Sequence, residues 1–126
     1  MNHGVPPPAG HLRIYRADGH TVIEFHGEID IAAALTILPV LDAATTPHET
    51  LIVIDLTPVT FFDCSGLALL SRARSRLEEH SGDLLLVCPH PFILRMLRIL
   101  GLTARFRPAP TLEDALGERR PERELN

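Results

Sequence analysis

The chain has 126 residues, a formal net charge of −4 at pH 7 and a hydrophobic content of 45%, which suits one compact domain with a single core. All twelve basic residues are arginines interspersed with acids, so the dominant basic stripe of a nucleic-acid-binding protein is missing. No apolar run approaches the roughly 20 residues that cross a bilayer, and Met1–Gly4 lacks the features of a secretory signal. We therefore expect a cytoplasmic protein without direct contact to nucleic acid or membrane.

The first predicted elements are a hairpin and a helix. Leu12–Tyr15 and Thr21–His26 flank Asp18-Gly19, which is a strong signal for a tight turn between two strands. A helix is predicted from residue 31 to about residue 46. Its apolar residues at helical spacing are Ile31, Leu35, Leu38 and Leu41. Pro39 lies inside this window and predicts a kink or an early end.

The middle of the chain alternates between buried strands and a helix. Leu51–Leu56 is apolar almost throughout, which is typical of a central strand covered on both faces. Residues 63 to about 80 are predicted to form the second helix, with Gly82 at the helix stop. Leu84–Val87 is predicted to be another buried strand.

The last part of the chain is predicted to contain two helices and one strand. Residues 91–100 form the third helix, which Gly101 ends. A short strand is expected near residues 105–107, and Thr111 caps a last helix with Asp114 as the capping-box acid. The third helix is apolar beyond one stripe, which leaves a weak homodimer open. The order β-β-α-β-α-β-α-β-α predicts an α/β fold with a mixed four- to five-stranded sheet.

The two ends of the chain differ in composition from its centre. Residues 1–10 contain three consecutive prolines and two glycines, which is typical of a disordered lead-in. Residues 118–126 are dominated by Glu and Arg, which is typical of a flexible tail. The sequence therefore predicts one folded domain over residues 11–117.

The two cysteines, Cys64 and Cys88, are too few for a disulfide scaffold, and we expect both to be buried apolar residues. Cys88 and His90 offer two zinc ligands, but no second pair at suitable spacing completes a set of four. The sequence therefore predicts neither a metal site nor a bound cofactor.

The most informative stretch is residues 60–67, which follows a buried strand and opens a helix. Backbone N–H groups at a helix start lack internal partners, and the dipole there favours negative charge. Ser65 is expected to be exposed, with Gly66 leaving room for another protein, and Phe61–Phe62 to serve in packing. A phosphate on Ser65 would add roughly −1.5 to −2 charges close to Asp63. The residues alone leave open that Asp63 or Ser65 only caps the helix.

Two motifs carry a family resemblance over about residues 10–118. Gly27-Glu28-Ile29-Asp30, which interrupts the strand pattern, and Asp63-Cys64-Ser65-Gly66-Leu67 resemble the STAS domain, and more narrowly bacterial anti-sigma-factor antagonists. The family motif Asp-Ser-Ser-Gly-Leu is matched at four of its five positions, with Cys64 in place of the first serine. The second serine, which is phosphorylated in the family, is retained as Ser65.

The resemblance implies the STAS fold and a partner-switching function. The unphosphorylated protein would bind an anti-sigma factor that is also a serine kinase with a histidine-kinase-like ATPase fold, and so free a sigma factor. Phosphorylation of Ser65 would weaken the complex, and a metal-dependent phosphatase would reset it. The implied partner-binding residues are Gly27, Glu28, Asp30, Asp63, Cys64, Ser65, Gly66 and Leu67. Glu28 in a solvated loop and Asp30 as a helix cap are equally compatible with the sequence.

Two other functions compete with the switch. An enzyme with Ser65 or Cys64 as nucleophile is disfavoured because the nucleophile elbow needs glycines two residues before and after the serine, where Asp63 and Leu67 stand. A cysteine-based phosphatase would need an arginine where Leu70 stands. We therefore expect no enzyme and no catalytic residue. The alternative is a STAS scaffold or small-ligand sensor that is never phosphorylated.

Overall fold

The structure of the protein is a computed structural model that describes residues 9–117, so most of the predicted lead-in and all of the predicted tail lie outside the described residues. Five strands and five helices follow one another along the chain. Their bounds are β1 His11–Ala17, β2 His20–Ile29, α1 Ile31–Ala44, β3 Leu51–Asp55, β4 Val59–Phe62, α2 Cys64–Glu78, β5 Asp83–Val87, α3 Pro91–Ile99, α4 Thr103–Phe106 and α5 Leu112–Gly117. Within residues 9–117, no helix combines the length and the apolar composition that crossing a bilayer requires.

The predicted mixed sheet is confirmed and has five strands. Its order is β1-β2-β3-β5, with β4 pairing to the end of β2. β1 and β2 form the antiparallel hairpin, and the other pairs are parallel. β2 is long enough to pair with two successive strands, because Thr21–Glu24 face β3 and Gly27–Ile29 face β4.

The sheet is covered on both faces, which explains why β3 is buried at every position. The larger core lies on the face that packs against α1, α2, α3 and α4, where Ile23, Phe25 and Ile54 are fully buried. The smaller core lies on the opposite face, where α5 covers Val53 and Val87. The continuous apolar run in β3 is the pattern expected of a strand covered on both faces.

Two predictions about strands are wrong. Gly27–Ile29 continues β2 instead of interrupting it, because Gly27 takes a positive φ of 79° at an irregularity in the pairing register. A side chain rarely adopts this conformation, and glycine permits the strand to bend and continue. The strand expected at residues 105–107 is instead the end of α4, and β4 was not predicted.

The helix ends also refine the predictions. α1 does not end early at Pro39 and continues to Ala44. Pro39 lies on an exposed face, so water can satisfy the carbonyl that the missing N–H leaves free. At the end of α2 the left-handed residue is Ser81, with φ of 61°, and the N–H of Gly82 donates to the carbonyl oxygen of Leu77 at 2.7 Å. Gly101, with φ of 71°, follows α3 as predicted.

Candidate functional site

Two neighbouring strands place two helix starts side by side. β2 and β4 run parallel and pair in register at their last residues, Ile29 and Phe62. The residue that follows each strand is an aspartate, and each aspartate caps the next helix. The Oδ1 atom of Asp30 accepts from the backbone N–H of Ala33 at 2.9 Å, and that of Asp63 from the N–H of Ser65 at 2.8 Å. The fold therefore brings together the two motifs that are more than 30 residues apart in the chain.

Ser65 carries a hydroxyl that the fold does not use. It lies in the first turn of α2 and is half-buried rather than exposed as expected. Asp63 is the N-cap of this helix, so the hypothesis of a capping role applies to Asp63 and not to Ser65. The carbonyl oxygen of Asp63 also accepts from the N–H groups of Gly66 and Leu67, at 3.0 and 3.3 Å. Within residues 9–117, the Ser65 hydroxyl makes no hydrogen bond, which leaves its oxygen available for chemistry.

Gly66 and Leu67 act through the local packing of the site. Both residues are buried. A Cβ at residue 66 would lie 2.7 Å from Cδ1 of the Phe62 ring and closer still to two other ring atoms. The space above Gly66 is therefore filled by Phe62, which corrects the expectation that it admits another protein. Phe62 packs in the core as expected, but Phe61 is 47% exposed and does not.

The remaining motif residues divide between the surface and the interior. Gly27 is buried, and its N–H donates to the carbonyl oxygen of Pro58 at 3.1 Å. This hydrogen bond joins the last part of β2 to the residue that precedes β4. Glu28 pairs with Phe61 in the sheet and is half-buried, as is Asp30. None of the ion pairs formed among residues 9–117 includes Glu28, Asp30 or Asp63. Glu28 lies near the end of β2, Asp30 and Asp63 follow the ends of β2 and β4, and none of the three forms an ion pair in the described chain.

The two thiols have different environments. Cys88 is buried as predicted, and desolvation by burial raises the pKa of its thiol above the usual value. Cys64 is exposed, so the prediction of a buried cysteine is wrong there. The first residue of α2 points away from the core, since the buried positions of this helix begin at Gly66.

An apolar groove between α1 and α2 adjoins Ser65, and sequence reasoning missed it. Its volume is about 290 Å³. The lining residues are Ile31, Ala34, Leu35 and Leu38 from α1, and Ser65, Ala68, Leu69 and Arg72 from α2. Ile31 and Leu35 are 71% and 72% exposed, although their spacing suggested a core-facing stripe.

The core-facing stripe of α1 shares only Leu41 with the predicted set. Ala33, Ile37 and Leu41 are buried against the sheet. α1 therefore carries two apolar stripes, one inside and one outside. A helix that is apolar on more than one face is the signal that could have predicted this surface.

The far end of the groove is closed by an ion pair. Nε and Nη2 of Arg72 donate to the two carboxylate oxygens of Asp42 at 2.7 and 2.8 Å. These hydrogen bonds lower the pKa of Asp42, against a smaller opposing effect of desolvation. The pair joins α2 to the last turns of α1.

Comparison with known proteins agrees with this architecture. The family model described as the STAS domain matches residues 11–115. RsfB of Mycobacterium tuberculosis, named an anti-sigma-F factor antagonist, is 29% identical over 99 residues, which are 79% of this chain and 80% of RsfB. The crystal structure of an anti-sigma factor antagonist from Mycobacterium paratuberculosis is 30% identical, with a TM-score of 0.79 over 88% of this chain and 94% of that one.

A further similar structure is that of the anti-sigma factor antagonist SpoIIAA in its unphosphorylated form. It is 25% identical, with a TM-score of 0.71 over 87% of this chain and 96% of SpoIIAA. The match of the family model spans the sheet and nearly all of the helices described above. This chain belongs to the STAS domain family.

Proposed function

We propose that this chain is an anti-sigma factor antagonist that binds its anti-sigma factor while Ser65 is unphosphorylated and releases it once Ser65 carries a phosphate. The observation that carries the proposal is the Ser65 hydroxyl, which is without a hydrogen bond in the described chain and stands in the first turn of α2. The names of RsfB and of the similar solved structures support the antagonist function. The description of SpoIIAA as an unphosphorylated form supports a phosphorylation switch.

The partner in this proposal is an anti-sigma factor with a serine-kinase fold of the histidine-kinase-like ATPase type. Binding would occupy the edge formed by Glu28, Asp30 and the start of α2, and would free a sigma factor in the cytoplasm. The kinase would transfer phosphate to Ser65, and a metal-dependent serine phosphatase would remove it. The chain itself acts as the substrate of both enzymes and not as a catalyst.

The local electrostatics explain why a phosphate would switch a contact without unfolding the domain. The N–H of Ser65 is already engaged by the Asp63 carboxylate, so a phosphate gains little from the helix start. Repulsion between a phosphate on Ser65 and the Asp63 carboxylate, two residues away, is on the order of a few kcal/mol at a protein surface. A domain of this size is stable by about 5 to 15 kcal/mol, so the fold survives this repulsion.

The test uses the full chain and a matched serine elsewhere on α2. Ser75 lies on the exposed surface of the same helix and is the control site. The anti-sigma factor is purified, and its dissociation constant is measured for the wild-type chain, Ser65→Ala, Ser65→Asp and Ser75→Asp. We expect Ser65→Ala and Ser75→Asp to bind like the wild type, and Ser65→Asp to bind about tenfold more weakly or worse.

Phosphate mapping completes the test. The wild-type chain recovered from cells should carry phosphate on Ser65 in at least one growth condition, and Ser65→Ala should carry none on α2. If Ser65→Asp binds as tightly as the wild type and Ser65 is never modified, the switch is refuted. The STAS scaffold or ligand sensor then becomes the better description.

A further inference from the structure

The sheet has an edge strand on each side, β1 and β5, and within residues 9–117 the chain covers only the edge at β5. There the carbonyl oxygen of Leu84 accepts from Nη1 of Arg74 at 3.0 Å, and that of Leu86 accepts from the N–H of Ala109 at 2.8 Å. At β1, no side chain or loop of the described chain bonds to the outer side of the strand. An edge strand with unpaired N–H and C=O groups is a template for another strand.

The hairpin turn determines which backbone groups of β1 face outward. Asp18 and Gly19 have φ of 51° and 78°, so they form a two-residue type I′ turn, which is flanked by a hydrogen-bonded pair, Ala17 and His20. Every second residue of β1, counted back from Ala17, therefore bonds to β2. The N–H and C=O groups of the residues between them point away from β2. These outward-facing residues are Leu12, Ile14 and Arg16, and together they form the free edge.

The charges on β1 do not protect this edge in the way that charged side chains often do. Nη1 of Arg13 donates to Oε1 of Glu24 at 3.0 Å. Arg16 bends back towards the turn, where its two terminal nitrogens donate to Oγ1 of Thr21 and to the carbonyl oxygen of Gly19, both at 2.8 Å. Both guanidinium groups are thus held within the chain, and the backbone between them stays accessible.

We propose that the free edge pairs with the free edge of a second copy of this chain, antiparallel and with Ile14 opposite Ile14 at the two-fold axis. In this register Leu12 pairs with Arg16 of the second copy, so all free-edge residues exchange hydrogen bonds. Arg13 lies opposite Tyr15, so no arginine directly faces another. The free edge is symmetric about Ile14, and this self-complementarity is what a two-fold interface requires.

An exposed apolar surface lies beside the proposed axis. Ile14 pairs with Ile23, whose side chain is in the larger core, so Ile14 lies on the face of the sheet that α1 covers. Ile14 and Val40 of α1 are 44% and 47% exposed, and both line a groove of about 430 Å³. Pairing would place Ile14 of the second copy beside this groove. The apolar area is modest, so we expect a weak dimer.

The first test is the mass of the full chain in solution, measured by sedimentation equilibrium from micromolar to millimolar concentration. We expect the mass to rise from that of one chain to that of two and to stop there, because pairing uses the free edge of both copies and the chain covers β5 itself. A mass of one chain at every concentration, or a continued rise beyond two, overturns the proposal.

Charged side chains at position 14 test the register. Ile14→Lys and Ile14→Glu each place like charges opposite one another, so each variant alone should self-associate at least about tenfold more weakly. A mixture of the two should dimerise again, because lysine then faces glutamate. Circular dichroism of the dilute variants verifies that each monomer is folded. A mixture that stays monomeric while both variants are folded contradicts the register.

The matched control is Ile99→Lys at the end of α3, where the side chain is 70% exposed. It should change the dimer dissociation constant by no more than about twofold. If Ile99→Lys separates the copies and Ile14→Lys does not, the apolar surface of α3 is the interface and the proposal is overturned.

Amide hydrogen exchange followed by NMR locates the contact on the backbone. The N–H of Ile14 should exchange quickly in the dilute monomer and slowly in the dimer. The N–H of Tyr15 bonds to β2 and should be slow in both states. If Ile14 still exchanges quickly where the mass is that of two chains, the copies meet elsewhere. None of these results depends on Ser65, so the proposed function is tested separately.

Discussion

Replacing Gly66 by alanine tests whether the start of α2 is shaped by the Phe62 ring. The added Cβ would lie 2.7 Å from Cδ1 of Phe62 and closer to two further ring atoms, and Phe62 is 3% exposed, so the ring has little room to move. Overpacking of this kind destabilises a core by about 1 to 3 kcal/mol. Alanine is favoured over glycine inside a helix by up to about 1 kcal/mol, which offsets part of this effect.

The expected net result for Gly66→Ala is a loss of about 1 kcal/mol in the free energy of unfolding, which lowers the melting temperature by about 3 to 5 °C. Gly117→Ala is the matched control, because a Cβ there meets no atom within 4 Å at the end of α5. This control should be as stable as the wild type or slightly more stable. Urea unfolding followed by circular dichroism measures both variants under the same conditions.

A second substitution identifies the atoms responsible. Phe62→Leu is destabilising alone, but it removes the ring carbons that the new methyl group would meet. The double variant should therefore lose less stability than the sum of the two single losses, with a coupling of about 1 kcal/mol. If Gly66→Ala is as stable as Gly117→Ala, or if the two losses simply add, the argument from the Phe62 ring is refuted.

The remaining predictions concern the cap, an ion pair and the thiols. Asp63→Ala should lower the free energy of unfolding by about 1 kcal/mol, and Asp63→Asn should stay close to the wild type, as measured by urea unfolding. Arg72 lowers the pKa of Asp42 below its usual 3.8, so the pair stabilises the fold above that pH and loses this effect as the pH falls through the lowered folded-state pKa. The stability difference between the wild type and Asp42→Asn, measured by urea unfolding, should therefore be constant near neutral pH and shrink as the pH falls below 3.8; a constant difference at all pH values contradicts it. In the folded protein one thiol, that of Cys64, should react with a chromogenic disulfide reagent, whereas Cys88 should react only after denaturation; two fast thiols would refute the assigned burial.

The sequence was most informative where one strong local rule decided the structure. The Asp18-Gly19 turn, the apolar run of β3 and the Gly101 stop after α3 were all predicted from such rules, and the structure confirms them. β4 was missed because Thr60 and Phe61 are exposed, so this short strand has no regular apolar pattern. It exists because the end of β2 offers it a parallel partner, which is a property of the tertiary fold.

The part of the candidate site that depends on local sequence could be predicted, and the part that depends on the tertiary fold could not. The motif around Ser65 is contiguous in sequence, and the helix that follows it could be read directly. The groove depends on which of two apolar stripes of α1 faces the sheet, and spacing alone did not distinguish Ile31 and Leu35 from Ala33 and Ile37. That choice is made by the crossing of α1 over the sheet and by its packing against α2, which no local pattern records.

The geometry of the cap does not require serine at position 64, where this chain has cysteine in place of the first serine of the motif. Asp63 provides both the side-chain and the main-chain acceptors for the first turn of α2, through its carboxylate and its carbonyl oxygen. Position 64 is exposed and makes no side-chain hydrogen bond within the described chain, so its side chain is not needed to build the helix start. Position 65 differs because its side chain is half-buried and borders the groove between α1 and α2. Cysteine at the first position therefore keeps the hydrogen bonds of the helix start, and in the proposed switch the change of charge falls on the second position.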